Sequence, residues 1–248
     1  MPAIAPPPVA RSRIAPLPGA QPPAAARSGC SFADYLRWFA LDVHTLRGRD
    51  VLDVAAGMSS FTAEACARKI NAVAVDPIYG ASVAVLAAAS LTHDAPDVIE
   101  AEPSDAGGVS SSASSPDSDT EAGGAVQRFL SDYEAHFLHN RYVRASLPRL
   151  PFFDGTFDLV LSAHLLFTGE RRSDFEWTLA SVLELVRVSA GEVRLYPLSE
   201  FSGRACPAWP RLRRALKESG VESAVRSFAA DAGSTRAGSA LVLRKGTS

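Results

Sequence analysis

The residues best suited to binding or catalysis are two aspartates, Asp53 and Asp76, which lie at the ends of two short apolar runs. The runs, residues 51–54 and 72–75, have the length of strands. In an open α/β sheet, ligands bind at the carboxyl ends of the parallel strands. A carboxylate at the second position can accept hydrogen bonds from the hydroxyls of a ribose. The first carboxylate would repel a pyrophosphate, and it therefore suits a ligand with positive charge.

Small side chains occupy the segment that follows Asp53. Residues 55–60 read Ala-Ala-Gly-Met-Ser-Ser, and a turn of this kind lets the backbone approach a ligand closely. We expect a helix from about Ser59 to Lys69, with free N–H groups and the positive end of its dipole directed at the same space. The order strand, turn, helix, strand predicts the opening βαβ unit of a doubly wound sheet.

A further candidate group follows a third apolar run, residues 157–162. Ser162 closes this run and His164 comes two residues later. An imidazole titrates near neutral pH, so His164 could act as a general base that removes a proton from an attacking oxygen or nitrogen. The alternative is a structural histidine whose ring nitrogens bond to backbone groups.

The spacing of these residues resembles the first motifs of the class I S-adenosylmethionine-dependent methyltransferases. Their pattern is an acid, any residue, then Gly-x-Gly-x-Gly, with a second acid after the next strand. Asp53, Gly57 and Asp76 match it, and Ala55 and Ser59 replace the outer glycines. The resemblance implies that Asp53 lies near the positive methionine end of S-adenosylmethionine. It also implies that the turn allows close backbone approach and that Asp76 binds the ribose.

A second stretch matches the family pattern Asp-Ala-x-x-Leu-Pro-Phe-x-Asp-x-Ser-Phe-Asp. The residues in register are Leu150, Pro151, Phe152, Asp154, Thr156, Phe157 and Asp158. Ser146 and Leu147 take the Asp-Ala positions, and the resemblance implies that they flank the adenine. It covers about residues 32–245, and residues 141–197 also resemble an uncharacterised group of bacterial methyltransferase-like proteins.

Composition narrows the class of protein. The 248 residues suit one α/β domain, and 25 basic against 27 acidic residues argue against a nucleic-acid partner. Three widely spaced cysteines favour a reducing compartment over a disulfide scaffold or a structural zinc site. No apolar run has the length of a membrane span. We expect a cytoplasmic protein with a small-molecule substrate, no metal and no membrane partner.

The ends and the middle of the chain differ in composition. Residues 1–30 are rich in Pro and Ala and are predicted to be a disordered tail. An organellar transit peptide is the alternative, because the tail is basic and acid-poor. Residues 31–248 are predicted to form one domain. Within it, residues 92–125 are dense in Asp, Glu, Ser and Gly and predict a disordered acidic insertion.

Apolar spacing predicts the remaining elements. Helices are expected at residues 32–46, 81–91, 127–140, 175–190 and 209–218. A capping box is expected at residues 173–176, and Gly191 is expected to end the helix that follows it. Strands are expected at residues 141–145, 192–197, 221–228 and 240–243, with the last two as an antiparallel hairpin. The predicted fold is a Rossmann-like, doubly wound, seven-stranded sheet, mostly parallel with an antiparallel last strand and helices on both faces.

The leading functional hypothesis is methyl transfer from S-adenosylmethionine to a small-molecule acceptor through oxygen, nitrogen or carbon. A non-catalytic binding or regulatory protein on the same fold is the alternative, motivated by the altered outer glycines and the missing adenine acid. Asp53 and the absence of Gly-x-Gly-x-x-Gly disfavour a nicotinamide-dependent oxidoreductase. The balanced charge disfavours a nucleic-acid methyltransferase. The sequence after residue 162 also lacks the Asn/Asp-Pro-Pro-aromatic signature of amino-group methylation on nucleobases and glutamine.

Overall fold

The computed structural model describes residues 29–91, 116–167, 174–198, 208–228 and 238–246. Almost all of the predicted N-terminal tail lies outside the described residues. Gly29 and Cys30 are the exception, since the Cys30 carbonyl accepts a hydrogen bond of 3.0 Å from Ser60 N. The tail prediction is therefore wrong for these two residues, which belong to the packed domain.

Seven helices and seven strands are present in the described residues. The helices are α1 (Phe32–Phe39), α2 (Val43–Leu46), α3 (Phe61–Ala67), α4 (Val83–Leu91), α5 (Pro116–His136), α6 (Phe175–Val188) and α7 (Trp209–Glu218). The strands are β1 (Asp50–Val54), β2 (Asn71–Val75), β3 (Tyr142–Val143), β4 (Phe157–Ala163), β5 (Ser189–Tyr196), β6 (Val221–Phe228) and β7 (Gly238–Lys245). A 3₁₀ turn, Phe137–His139, follows α5.

The strands form one sheet in the order β3-β2-β1-β4-β5-β7-β6. All neighbours are parallel except β7, which runs antiparallel to both β5 and β6. In the central register Val54 pairs with Val75 on one side and with Ser162 on the other. The ends of β1, β2 and β4 therefore meet at one edge, as the predicted doubly wound fold requires.

Helices cover both faces of the sheet. Successive strand residues point to opposite sides, so neighbouring residues of one strand pack against different helices. Val51 packs with residues of α1 and α3, whereas Leu52 and Val54 pack with residues of α6 and α7. The buried side chains thus form an apolar layer on each side. The prediction of helices on both faces is confirmed.

The predicted helix over residues 32–46 is instead two helices. α1 begins with a capping box between Ser31 and Asp34 and ends at Ala40, whose φ of 46° lies in the left-handed region. Asp42 then starts α2, because its side chain accepts a hydrogen bond from His44 N. The apolar spacing continues across the break, so periodicity alone did not reveal it.

The predicted role of Gly191 is wrong. α6 ends at Val188 and passes directly into β5, and Gly191 lies inside that strand. A Cβ atom at this position would lie 2.3 Å from the Asp158 carbonyl oxygen, so the close approach of β4 requires glycine. The N-cap of α6 is Asp174, which accepts from Trp177 N at 3.0 Å. Ser173, which opens the predicted capping box, lies outside the described residues.

The predicted disordered insertion is wrong for residues 116–125, which form the first part of α5. Ala125 is fully buried, and α5 packs on α3 and α4. This packing stabilises a helix that the local composition disfavours. Residues 92–115 lie outside the described part of the chain. Within that part, no helix has the length and apolarity needed to cross a bilayer.

Candidate active site

The two predicted acids lie at the same edge of the sheet, at the ends of neighbouring strands. Asp53 is the penultimate residue of β1 and Asp76 follows β2 directly. They are 1% and 2% exposed. Neither carboxylate has an ion-pair partner among the residues that the structure describes. Two acidic groups without a basic partner are therefore close together in a space that is shielded from water.

Asp53 lies beneath helix α1. Its Oδ1 accepts a hydrogen bond of 3.1 Å from the hydroxyl of Tyr35, and the Tyr35 ring stacks on Phe61 with the centroids 4.5 Å apart. Its Oδ2 is buried and has no hydrogen-bond partner in the described residues. Burial, against the opposing hydrogen bond from Tyr35 and with a smaller contribution from the charge of Asp76, raises the pKa of Asp53 to about 8.

Asp76 accepts hydrogen bonds from two backbone groups, one in the turn after β1 and one in the turn after β2. Its Oδ2 accepts from Gly57 N and its Oδ1 from Ile78 N, both at 3.0 Å. Burial raises the pKa of Asp76 to about 6, and these two N–H groups oppose the rise. Each carboxylate oxygen has a second lone pair, so Asp76 can still accept two further hydrogen bonds.

The turn between the acids adopts the left-handed conformation at two positions, Ala55 with φ of 60° and Gly57 with φ of 54°. Such a conformation suits glycine and is unfavourable for alanine. The hydroxyl of Tyr79 donates to the Gly57 carbonyl at 2.8 Å, which fixes the turn from the β2 side. The first outer glycine of the family pattern is thus replaced at a position where its conformational freedom matters.

The expectation that the start of α3 offers free N–H groups is wrong for its first two donors. Ser60 N donates to the Cys30 carbonyl at 3.0 Å, and Phe61 N donates to Ser59 Oγ at 3.0 Å. Ser59 Oγ also donates to the Cys30 carbonyl at 3.1 Å. Ser59, at the other outer glycine position, therefore accepts a hydrogen bond from the first residue of α3 and donates one to the segment that leads into α1.

His164 lies beyond the end of β4 in an aromatic cluster that we call the aromatic trio, composed of Trp38, His164 and Tyr196. The indole and the phenol ring stack with centroids 5.2 Å apart. The imidazole meets them edge-on at 4.8 and 5.4 Å. The φ of His164 is 55°, and its backbone N–H donates to the Tyr196 carbonyl at 2.7 Å. Burial lowers the pKa of His164 to about 4, so its imidazole is neutral at pH 7.

The remaining predicted residues differ in their surroundings. Ser146 is exposed, whereas Leu147 is buried in the apolar layer that also contains Val54 and Val75. Ser162 is buried at the end of β4, and its Oγ has no hydrogen-bond partner within the described ranges. The register places Ser162 beside Val54. The structure therefore brings Ser162 and Leu147 to the edge where the acids lie and leaves the Ser146 side chain open to solvent.

No family model matches the chain, and no curated protein matches it. Solved structures are similar to it at low identity. A SAM-dependent methyltransferase from Aquifex aeolicus is 14% identical over 84% of this chain and 91% of that chain, with a TM-score of 0.42. Burkholderia thailandensis 1,6-didemethyltoxoflavin-N1-methyltransferase, solved with its namesake compound and S-adenosylhomocysteine, is 14% identical over 93% of both chains, with a TM-score of 0.47. The 4+2 cyclase SpnF is also similar, at 14% identity over 88% of this chain and 80% of that chain, with a TM-score of 0.46.

The fold of this chain is established by its own strand order, and the site is defined by its own side chains. Three contacts of the site were not predicted from the sequence: Tyr35 with Asp53, Tyr79 with the turn, and the aromatic trio. Tyr35 and Trp38 both lie in the helix predicted over residues 32–46, and the apolar spacing that predicted this helix did not indicate these contacts. Nothing in the local sequence pairs Tyr35 with a carboxylate 18 positions away.

Proposed function

We propose that the chain transfers a methyl group from S-adenosylmethionine to a small-molecule acceptor at the carboxyl edge of β1, β2 and β4. The observation that carries the proposal is the pair of buried carboxylates, Asp53 and Asp76, on either side of the turn at Gly57. The cofactor carries positive charge at its amino and sulfonium groups, and it has a ribose with two hydroxyls. The acid pair offers partners for both features.

The residues present fit this cofactor. Asp76 would bind the ribose through the lone pairs that Gly57 N and Ile78 N leave available. Asp53 would lie near the amino group, since its buried Oδ2 lacks a donor in the described residues. Ala55, Gly57 and Ser59 form the small-residue turn between them. Leu147, and Ser146 by its place in the sequence motif, would flank the adenine.

Asp53 also couples binding of a cation to release of a proton. Because its pKa is about 8, the carboxyl holds a proton at pH 7. A positive group beside it favours the ionised form and lowers that pKa. Binding of the cofactor cation therefore releases a proton from the Asp53 carboxyl, and the affinity should depend on pH in this range.

The aromatic trio is the proposed acceptor side of the site. His164 follows β4, which neighbours the strand that carries Asp53, while Tyr196 is the last residue of β5 and Trp38 of α1 packs against both. The cofactor supplies an electrophilic methyl carbon, so the chain's task is to hold the acceptor in line with it. Such positioning can lower a barrier by up to about 7–11 kcal/mol. A neutral His164 can take a proton from the acceptor, but its pKa of about 4 makes it a weak base.

Calorimetric titration with S-adenosylmethionine and S-adenosylhomocysteine tests the proposal. We expect both to bind, and we expect Asp76→Asn to weaken binding by about tenfold or more, since hydrogen bonds to a charged acceptor are lost. The matched control is Asp50→Asn, at the exposed start of β1, which should bind as the unchanged protein does. Failure of the unchanged protein to bind either compound would contradict the proposal.

Turnover separates an enzyme from a binding protein on the same fold. We expect S-adenosylhomocysteine to form when the protein is incubated with S-adenosylmethionine and a panel of small oxygen, nitrogen and carbon nucleophiles. Trp38→Ala should raise KM for the acceptor more than it changes cofactor affinity. Tight binding without product from any acceptor would instead support the non-catalytic alternative.

A further inference from the structure

Strand β6 forms one end of the sheet, and in the described part of the chain no strand pairs with its outer side. Its inner side pairs antiparallel with β7 over eight residues, Val221–Phe228. The Gly246 N–H donates to the Gly220 carbonyl at 2.8 Å, which sets the alternation of the ladder. Residues 222, 224 and 226 therefore bond to β7, and the peptide groups of residues 221, 223, 225 and 227 point outward.

The charges on this strand are arranged symmetrically about its middle. Glu222 and Arg226 lie two residues to either side of Ala224, and all three side chains are exposed. They lie on one face because strand side chains alternate. Neither charged group has an ion-pair partner among the described residues. On the other face the Val225 side chain is 46% exposed.

We propose that the outer edge of β6 is a self-association surface, on which a second copy of the chain adds its own β6 antiparallel about a two-fold axis at Ala224. In this register Glu222 of each copy lies opposite Arg226 of the other, which makes two equivalent ion pairs. Ser223 lies opposite Val225, and their outward peptide groups bond across the axis. Two seven-stranded sheets then form one continuous sheet.

The register is specified by both the backbone and the charges. Antiparallel pairing needs the outward peptide groups of the two copies to face each other, so only shifts of two residues are allowed. A shift by two places Glu222 opposite Ala224 in one direction, and Arg226 opposite Ala224 in the other. Both ion pairs are lost in each case. The Ala224-centred register thus lets the outward peptide groups of the two copies pair, and it also places both charged residues of this face opposite a residue of opposite charge.

Charges on an edge strand commonly prevent such pairing. Here they have opposite signs at equal distances from the centre, so the edge is complementary to itself. Opposite charges across a strand pair stabilise it, whereas like charges destabilise it. An isologous contact of this kind closes after two copies. The Asp53 and Asp76 site lies on the other side of β5 in the sheet order, so this surface is independent of the proposed methyl transfer.

Sedimentation velocity of the full chain over a range of concentrations tests the proposal. We expect a reversible monomer–dimer equilibrium. Glu222→Arg and Arg226→Glu should each raise the dissociation constant by about tenfold or more, because each places like charges opposite each other twice. An equal mixture of the two variants should dimerise again, since each then supplies the opposite charge. The double variant Glu222→Arg/Arg226→Glu should dimerise by itself.

A proline variant separates strand pairing from general charge attraction. The Val225 N–H points outward, so Val225→Pro removes a donor to the second copy and leaves pairing with β7 intact. This variant should stay monomeric with an unchanged far-ultraviolet circular dichroism spectrum. A chain that is monomeric at every concentration would overturn the proposal. So would a dimer that Glu222→Arg and Val225→Pro leave unaffected.

Discussion

Replacing Asp53 by asparagine should stabilise the protein at alkaline pH and leave its stability nearly unchanged at acid pH. The folded-state pKa of Asp53 is about 8, well above the ordinary value of 3.8. Between these values the folded chain holds a proton at Asp53 and the unfolded chain does not. Stability from this group is therefore fully present below pH 4 and is lost as the pH rises toward 8. Asparagine keeps the size and the acceptor for Tyr35 but does not titrate.

The size of the effect follows from the difference between the pKa values of Asp53 in the folded and unfolded states. Each unit of difference in pKa corresponds to about 1.4 kcal/mol. From pH 5 to pH 8 the unchanged protein should therefore lose about 4 kcal/mol of unfolding free energy relative to the Asp53→Asn variant. The carboxyl is fully buried, so solvent screening does not reduce this difference.

Urea unfolding at pH 5, 6, 7 and 8, followed by tryptophan fluorescence, measures the difference directly. Asp50→Asn is the control, since Asp50 is exposed at the opposite end of β1, and its stability should differ from that of the unchanged protein by the same small amount at each pH. The other titrating groups are common to all three proteins and cancel in the comparison. A difference between Asp53→Asn and the unchanged protein that stays constant from pH 5 to pH 8 would refute the reasoning.

Three further predictions concern the cofactor and the backbone. The affinity for S-adenosylmethionine should rise by up to tenfold per pH unit from pH 6 to pH 8, because binding expels the Asp53 proton. Calorimetry should show this slope disappear in Asp53→Asn. Gly191→Ala should cost roughly 1–3 kcal/mol of unfolding free energy, since the new Cβ would lie 2.3 Å from the Asp158 oxygen. Gly123→Ala is its control, because a Cβ there meets nothing within 4 Å, and no loss of stability is expected. Ala55→Gly should stabilise the fold by up to about 1 kcal/mol, since φ at Ala55 is 60°. A lower unfolding midpoint for Ala55→Gly would contradict this.

The order of the elements could be predicted because the local signals agreed. The apolar runs ending at Asp53 and near Asp76 have strand length, and small residues separate them. The parallel register then necessarily places both acids at one edge. The antiparallel hairpin of β6 and β7 was predicted from apolar runs separated by turn residues. The candidate residues at the ends of β1, β2 and β4 were therefore accessible from the sequence.

The remaining features depend on contacts between distant segments, which no local pattern encodes. Tyr35 reaches Asp53 only because α1 packs across the end of β1. Gly191 is needed because β4 comes close to β5, and the same residue read alone predicts the end of a helix. The first turns of α5 have a composition typical of a solvated loop, and the burial of Ala125 in the tertiary structure keeps them helical.

The central claim is that S-adenosylmethionine binds between Asp53 and Asp76, and photolabelling tests its location most directly. The protein would be irradiated with methyl-labelled S-adenosylmethionine and digested, and the labelled peptides would be identified by mass spectrometry. We expect the label within residues 53–79, beside Leu147 or in the aromatic trio, and we expect excess S-adenosylhomocysteine to prevent it. Specific labelling confined to another part of the chain, or labelling that S-adenosylhomocysteine does not reduce, would contradict the account.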